Sequence, residues 1–485
     1  MYSVKFMIID YKNIGIIKSL LSDRSWDSSR MKLEVENRVQ VLLENNITNK
    51  DKIIIFHGGE PEFFADLFAI WEIGACAICL NPKTTMNELE NIYDFVNPSA
   101  ILLLKNTLTD FSKSCKTLNL SIEKNKHNHS HKSAYNQNDE ALILFTSGTT
   151  GIPKGVVHTY KSLSLRLKYN LEHISISDLK NTLCLLPMHF GHGLIGNCLT
   201  PIAAGQNLFI TSGNDIKNIS KIGSIIDDNK ITFMSSVPSI WKLIFKISEP
   251  PKNNSLKRIH VGSAPLSEKV WIEIIEWSTV KNVINMYGIT ETANWVAGAS
   301  SNEFRPENGL IGKMWGGKAY ILDDAGDIKI SGTGVILLDT PSLMKGYYQL
   351  EEATNIAINN GLFNTGDIGT IDESGIIRIT GREKFEINRA GMKINPEDLD
   401  ILLENHESVD EACAFAVKDD IFGEVAGIAI KLNSDILMKE LKAWCIDKII
   451  AEKIPAKWYI VDEIPKNDRG KVDRLFTAKK CIGED

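Results

Sequence analysis

From about residue 30 onward, short aliphatic runs alternate with longer amphipathic stretches: "KIIIF" at 52–56, "GACAICL" at 74–80, "AILLL" at 100–104 and "ALILF" at 141–145. Runs this short and apolar read as strands buried on both faces. The stretches between them are long enough for crossover helices, so the pattern predicts a mostly parallel sheet covered on both sides. Five more runs follow, "TLCLLP" (182–187), "NLFI" (207–210), "ITFMSSVP" (231–238), "RIHVGS" (258–263) and "NVINMYG" (282–288). The expected fold class is α/β, built as one large body.

After residue 310 the texture changes. In "AYILDDAGDIKISGTGVILL", Asp324, Gly326 and Gly332 punctuate short strands, which predicts a β-rich subdomain over about 310–383. A charged break at 382–386 precedes a helix opened by Pro396, and the last hundred or so residues again alternate strand and helix. The expected organisation is a large domain over 1–383 and a small α+β domain over 384–485, with no internal repeat.

Composition narrows the functional classes. A chain of 485 residues, 43% hydrophobic, calls for at least two domains. The net charge of −7 is spread evenly, so no basic face for nucleic acid is expected. Asp10, Lys12 and Lys18 interrupt the apolar N-terminus before it reaches signal or membrane-spanning length, and a cytoplasmic location is the expectation. Cys76 and Cys79 form a CxxC with no second pair to complete a zinc site, and read as packing residues at a helix-to-strand junction. His127, His129 and His131 lie in "KNKHNHSHK", whose Lys, Asn and Ser mark a solvated loop rather than a ligand set.

The chemistry concentrates in "ILFTSGTTGIPKGVVHTY", residues 143–160. Thr146, Ser147, Thr149 and Thr150 supply hydroxyl donors, Gly148, Gly151 and Gly155 permit close backbone approach, and Lys154 adds a flexible cation, a combination suited to polyphosphate. Pro153 precedes the lysine where a Walker A loop requires Gly, and no GxGxxG is present there.

"TSGTTGIPKG" resembles the signature of the adenylate-forming superfamily, which includes acyl-CoA synthetases, luciferases and the adenylation domains of peptide synthetases. The resemblance continues in order through "INMYGITETA", "PSLMKGYYQLEEAT", "FNTGDIGTIDESGIIRITGRE" and "IPKNDRGKVDR". It implies activation of a carboxylic acid by ATP and magnesium to an acyl-adenylate, then acyl transfer to the thiol of coenzyme A, or alternatively to a carrier-protein phosphopantetheine.

The resemblance also implies roles. Thr146 to Gly151 and Lys154 would clasp the β- and γ-phosphates. Tyr287 would stack on adenine and Asn285 bond its edge, with Gly262, Ser263 and Ala264 forming the opposite wall. Thr290 would touch the α-phosphate, and Glu291 would hold magnesium, a hard cation suited to carboxylate oxygen. Asp367 would accept from the ribose diol and Arg382 donate to the same sugar or a phosphate. Lys471 would be the catalytic lysine, bridging substrate carboxylate and α-phosphate. Lys384 would be the hinge of a mobile C-terminal domain, with Gly391 lining a thiol tunnel.

His189, Phe190, His192, Val237, Met286 and Trp295 are the candidate acid-pocket residues, and their bulk suggests a small or medium acid. In "LPMHFGHGL" His189 precedes Phe190, whereas the family's usual order is aromatic then His. No Asp lies between Leu185 and Thr200 to pair with an ammonium, which disfavours an amino-acid substrate. A non-catalytic nucleotide-binding protein is the reading from another class; the presence of Glu291, Asp367, Arg382 and Lys471 together weighs against it.

Overall fold

The computed structural model describes residues 8–104, 111, 113, 115–120, 135–146, 154–213, 215–323, 325–382, 387–394, 396–465 and 472–483, with the backbone alone at 381, 382, 393, 397 and 401. By backbone contacts the chain divides into two units. One comprises residues 1–82, 96–145 and 155–381, and the other 83–95, 146–154 and 382–485.

Two sheets run through the larger unit. The smaller has the order Gly346–Tyr347, Lys154–Thr159, Glu140–Thr146, Cys76–Cys79, Lys52–Ile55, Ala100–Leu102, Thr117–Leu118. Its inner strands are parallel and almost wholly buried, as two-sided burial of aliphatic runs requires. Cys76 and Cys79 are the two ends of one of these strands and not a helix-to-strand junction as the sequence suggested; both are buried free thiols. Helix Pro61–Glu72, with proline at its first turn, is buried nearly all round.

The larger sheet has fifteen strands among the described residues. Its parallel part runs Ile17–Ser19, Asn207–Ile210, Asn181–Cys184, Phe233–Ser236, Arg258–Gly262, Val283–Ile289. It then turns antiparallel through Asn294–Ser300 and Leu310–Met314 into the strands Ile377–Arg382, Leu362–Ile371, Gly332–Asp339 and Lys318–Leu322. The β-rich stretch after 310 is therefore joined edge to edge to the parallel sheet. Gly326 (φ 85°) and Gly332 (φ 131°) occupy left-handed backbone at its turns, while Asp324 lies outside the described residues.

A buried ionic chain ties helix Ser28–Glu44 to helix Pro61–Glu72. Arg38, with no exposed surface, donates Nε to Asp66 Oδ1 at 2.6 Å and Nη1 to Glu34; Asp66 Oδ2 also accepts from His57 Nε2 at 2.7 Å. Arg38 and His57 together hold the Asp66 carboxyl below the ordinary range against the opposing effect of burial.

The second unit carries a five-stranded sheet among the described residues, with Gly423–Leu432 at its centre, Val409–Asp419 paired along one edge of it, and helices Pro396–Glu404, Met438–Ile446 and Arg474–Ile482. Strands Ile387–Arg389 and Met392–Ile394 pair across a two-residue turn. Ala390 (φ 52°) and Gly391 (φ 88°) form that turn, the left-handed pair that a tight hairpin demands. Among the described residues no helix is long and apolar enough to cross a membrane.

Arg38→Leu leaves the Asp66 carboxylate buried with a histidine as its remaining partner. We expect a loss of about 3–5 kcal/mol in urea unfolding, and Arg38→Leu/Asp66→Asn should recover part of it.

Candidate active site

The site grows out of one antiparallel reversal. Strand Val283–Ile289 carries Asn285, Met286 and Tyr287; the 3₁₀ turn Thr290–Thr292 carries Thr290 and Glu291; strand Asn294–Ser300 returns with Trp295. The pairing slips between Tyr287 and Gly288. A Cβ at Gly288 would lie 2.3 Å from the Asn294 carbonyl oxygen, so glycine is required where the strands close on each other. Ala293 (φ 60°) and Asn294 (φ 113°) are left-handed without being glycine, a strain that persists only where neighbours over-determine the backbone.

Those neighbours are visible. The Thr290 carbonyl accepts from His158 Nε2 at 2.8 Å, the Glu291 carbonyl from the Met344 amide at 2.7 Å, and the Thr292 carbonyl from Ser342 Oγ at 3.1 Å. The Trp295 carbonyl accepts from Arg166 Nη1. The Glu291 side chain is held as well: Oε1 accepts from the Tyr347 hydroxyl at 2.8 Å. Thr290 and Glu291 remain half-buried, open enough to meet a ligand.

Tyr287 and Asp367 come together, the phenol donating to Oδ2 at 2.5 Å. Asp367 is 1% exposed and sits on strand Leu362–Ile371, its own amide donating to Thr365 Oγ1 at 3.0 Å. Asn285 is also tied into the sheet. Its Nδ2 donates to the Leu310 carbonyl at 2.7 Å, where it ties the reversal to the next strand.

Ser263 (φ 64°) follows strand Arg258–Gly262, and its hydroxyl lies 2.7 Å from His192 Nδ1, while His192 Nε2 lies 2.6 Å from Ser235 Oγ. Gly262 has no room for a side chain, since a Cβ would sit 2.7 Å from the Met286 carbonyl. His192 begins a π-helix, His192–Leu199, a form that recurs at functional sites. Gly196 lets this helix approach the reversal, because a Cβ there would lie 2.0 Å from Asn294 Nδ2. The ring of His192 meets Trp295 edge-on at 5.6 Å, and His189 packs on Phe190 at 4.3 Å. Met286 and Trp295 belong to one buried cluster with Phe233 and Trp315, and Val237 to another beneath the smaller sheet.

Burial keeps three histidines here neutral. His158, fully buried, is pushed down to about 4 by desolvation. Desolvation lowers His192 as well, and also His260, which accepts Arg258 Nε at 2.8 Å and has that cation as a further reason to stay neutral.

Thr146 Oγ1 donates to the Lys154 carbonyl at 3.4 Å, so the ends of two neighbouring strands meet there. Ser147, Gly148, Thr149, Thr150 and Gly151 lie outside the described residues, as do Lys384, Lys471 and the His127–His131 tract. Arg382 ends its strand, and Gly391 is at the hairpin tip described above. The sequence reading missed His158, Arg166, Ser342 and Tyr347. The available signal for the first two was a polar residue within a buried strand and a charged one on the apolar face of helix Tyr160–His173.

A family model for AMP-binding enzymes matches residues 21–348, and one for the C-terminal domain of AMP-binding enzymes matches 399–471. The chain belongs to the AMP-binding enzyme family. This AMP-binding enzyme is 31% identical over 357 residues to a probable CoA ligase of Humulus lupulus, covering 71% of this chain and 67% of that protein. It is 29% identical over 354 residues to the oxalate–CoA ligase of Arabidopsis thaliana, covering 71% and 68%. Its fold is that of the o-succinylbenzoate CoA synthetase of Bacillus subtilis, with a TM-score of 0.87 at 21% identity over 96% of this chain and 95% of that one. The adenylate-forming superfamily inferred from the motifs, and the α/β fold class inferred from the alternating apolar runs, are thereby borne out.

The neutral histidines give the AMP-binding enzyme a pH dependence of definite sign. His158 takes up its proton near 6.5 when unfolded but only near 4 when folded, so the unfolded state binds more protons between those values and stability falls as pH drops through that window. Unfolding free energies at pH 7.5 and 5 should differ by about 2 kcal/mol more in the wild type than in His158→Gln. Equal differences would remove His158 as the cause.

Proposed function

We propose that this AMP-binding enzyme joins a small carboxylic acid to AMP and then passes the acyl group to coenzyme A. One carboxylate oxygen attacks the α-phosphorus of ATP, the bond to the β-phosphate oxygen breaks, and pyrophosphate leaves. The CoA thiolate then attacks the acyl carbon of the mixed anhydride and AMP departs. Two anions have to meet in the first step, so positioning and charge neutralisation carry the catalysis.

The observation that carries this reading is the pair of carboxylates held in advance by phenols. Tyr347 orients Glu291 within the 3₁₀ turn, and Tyr287, on the strand leading into that turn, orients Asp367. Glu291 keeps a second oxygen for a cation. A lone half-buried carboxylate fits magnesium, which takes few protein ligands and shares the rest among nucleotide phosphates and water. When bound, magnesium neutralises phosphate charge. Asp367, with Arg382, would receive the ribose, and the Tyr287 ring the adenine, against the wall of Gly262, Ser263 and Ala264. Thr290 would reach the α-phosphate, and Thr146 to Gly151 with Lys154 the terminal phosphates.

His189, Phe190, His192 and the Trp295 ring would face the acid. The relatives named above act on oxalate and on o-succinylbenzoate, and the polar Ser263–His192–Ser235 series would suit an acid with a second polar group. Lys471 would bridge the attacking carboxylate and the α-phosphate, Lys384 would be the hinge between half-reactions, and Gly391 would border the path of the thiol.

Trapping of acyl-adenylate as hydroxamate across oxalate, malonate, succinate, o-succinylbenzoate, acetate, hexanoate and benzoate, followed by a CoA thioester assay on the positive acids, tests the reaction. Lys471→Ala should lower ATP-dependent pyrophosphate release on the order of 10²-fold or more; ordinary release would remove that lysine from its role. Lys384→Pro should spare pyrophosphate release more than thioester formation, and equal loss of both would count against a hinge.

A further inference from the structure

Arg166 lies on helix Tyr160–His173 with no exposed surface at all. Its donors all end on neutral oxygens: Nη1 on the Trp295 carbonyl, Nη2 on the Trp315 carbonyl at 2.9 Å, and Nε on Ser342 Oγ at 3.1 Å. The Tyr169 ring covers one face at 5.5 Å. No carboxylate pairs with it among the described residues, and burial pulls the guanidinium down to about 9. A buried cation without a counter-ion is costly, and a leucine would fill the same space without that cost, so an explanation is needed.

The two carbonyls come from two corners where the backbone is left-handed. One follows Ala293 and Asn294, and the other precedes Gly316 (φ 86°) and Gly317 (φ 99°). Neither glycine of the second corner has room for a side chain. A Cβ at Gly317 would lie 2.1 Å from the Asp339 carbonyl, and one at Gly316 would lie 2.5 Å from the Tyr169 ring. Both corners thus turn a carbonyl inward, and a planar fork of donors can collect them together with a hydroxyl where no neutral side chain can. Ser342, the third partner, passes the constraint on by donating to the Thr292 carbonyl, next to Glu291. Trp295, the first, presents its ring to His192.

We propose that Arg166 is a positioning residue of the acid-activating reaction, gathering the Trp295 and Trp315 carbonyls and, through Ser342, fixing the Thr290–Thr292 turn relative to the Trp295 wall. The inference rests on the reaction proposed above, in which Trp295 faces the acid. Arg166 touches no reacting atom and acts through the backbone it holds.

The test compares wild type, Arg166→Lys, which keeps the charge but loses the fork, and Ser342→Ala, which removes one acceptor. Each is measured for melting temperature, near-ultraviolet circular dichroism, and KM and kcat in the hydroxamate assay with the best acid of the panel. Arg166→Lys should stay folded and lose on the order of 10- to 100-fold in kcat/KM for the acid, while KM for ATP changes less than about threefold. Ser342→Ala should show the same split in smaller measure. An unchanged kcat/KM for the acid in folded Arg166→Lys overturns the proposal. So does an equal loss toward acid and ATP that follows the melting temperature, which is the mark of a merely structural arginine. Should Arg166→Lys not fold, Ser342→Ala decides by the same split. If the wild type activates no acid, the proposed function fails on its own. The near-ultraviolet band of the buried tryptophans then reports whether Arg166 holds the Trp295 wall: an unaltered band in the folded lysine variant overturns that part as well, and an altered band keeps the wall while the reaction it was assigned to falls.

Discussion

The short reversal from Ile289 to Trp295 is the constraint on which the rest of the larger unit's site depends. Three of its backbone carbonyls and its acidic side chain are each held by a donor from elsewhere in the chain, His158, Met344, Ser342 and Tyr347, and a fourth carbonyl by Arg166. Two left-handed non-glycine residues can persist there because so many bonds over-determine the backbone. The consequence is a carboxylate at position 291 whose direction is set before any nucleotide arrives, which is how a protein lowers the reorganisation demanded at the moment of reaction.

The donors are unusual in kind. Two are groups that water would normally charge or solvate, an imidazole and a guanidinium, and both are fully buried. Around them lie Trp295, Trp315, Phe233 and His260 in mutual edge-on contact, His260 meeting Trp295 at 4.5 Å and Trp315 at 5.7 Å. A wall of this composition is polar at chosen points, and desolvation rather than paired charge keeps its histidines neutral. The acid labilities expected of the protein and the steep demands on residue 166 have this one origin.

Much of this was legible in the chain. Each of the nine aliphatic runs marked as strands is one, because two-sided burial leaves a continuous apolar signature that local pattern detects. The order of the motifs pointed to the superfamily. What local pattern does not carry is pairing between distant strands, so the joining of Leu310–Met314 to Asn294–Ser300 was not foreseen, and the β-rich stretch read as more separate than it is. The same limit hid the bond from Asn285 to the Leu310 carbonyl. His158 and Arg166 were invisible for a different reason: a polar residue in a strand or helix reads by default as solvated, and only the fold shows it facing inward.

The most direct measurement is hydrogen exchange of the peptides spanning 286–297 and 340–348 in the protein without nucleotide. A turn organised in advance predicts amide protection there close to that of the central strands, changing little when ATP and magnesium are added. Exchange as fast as that of an exposed loop, slowed only by nucleotide, would contradict the account, since the turn would then be ordered by its ligand and not by the protein.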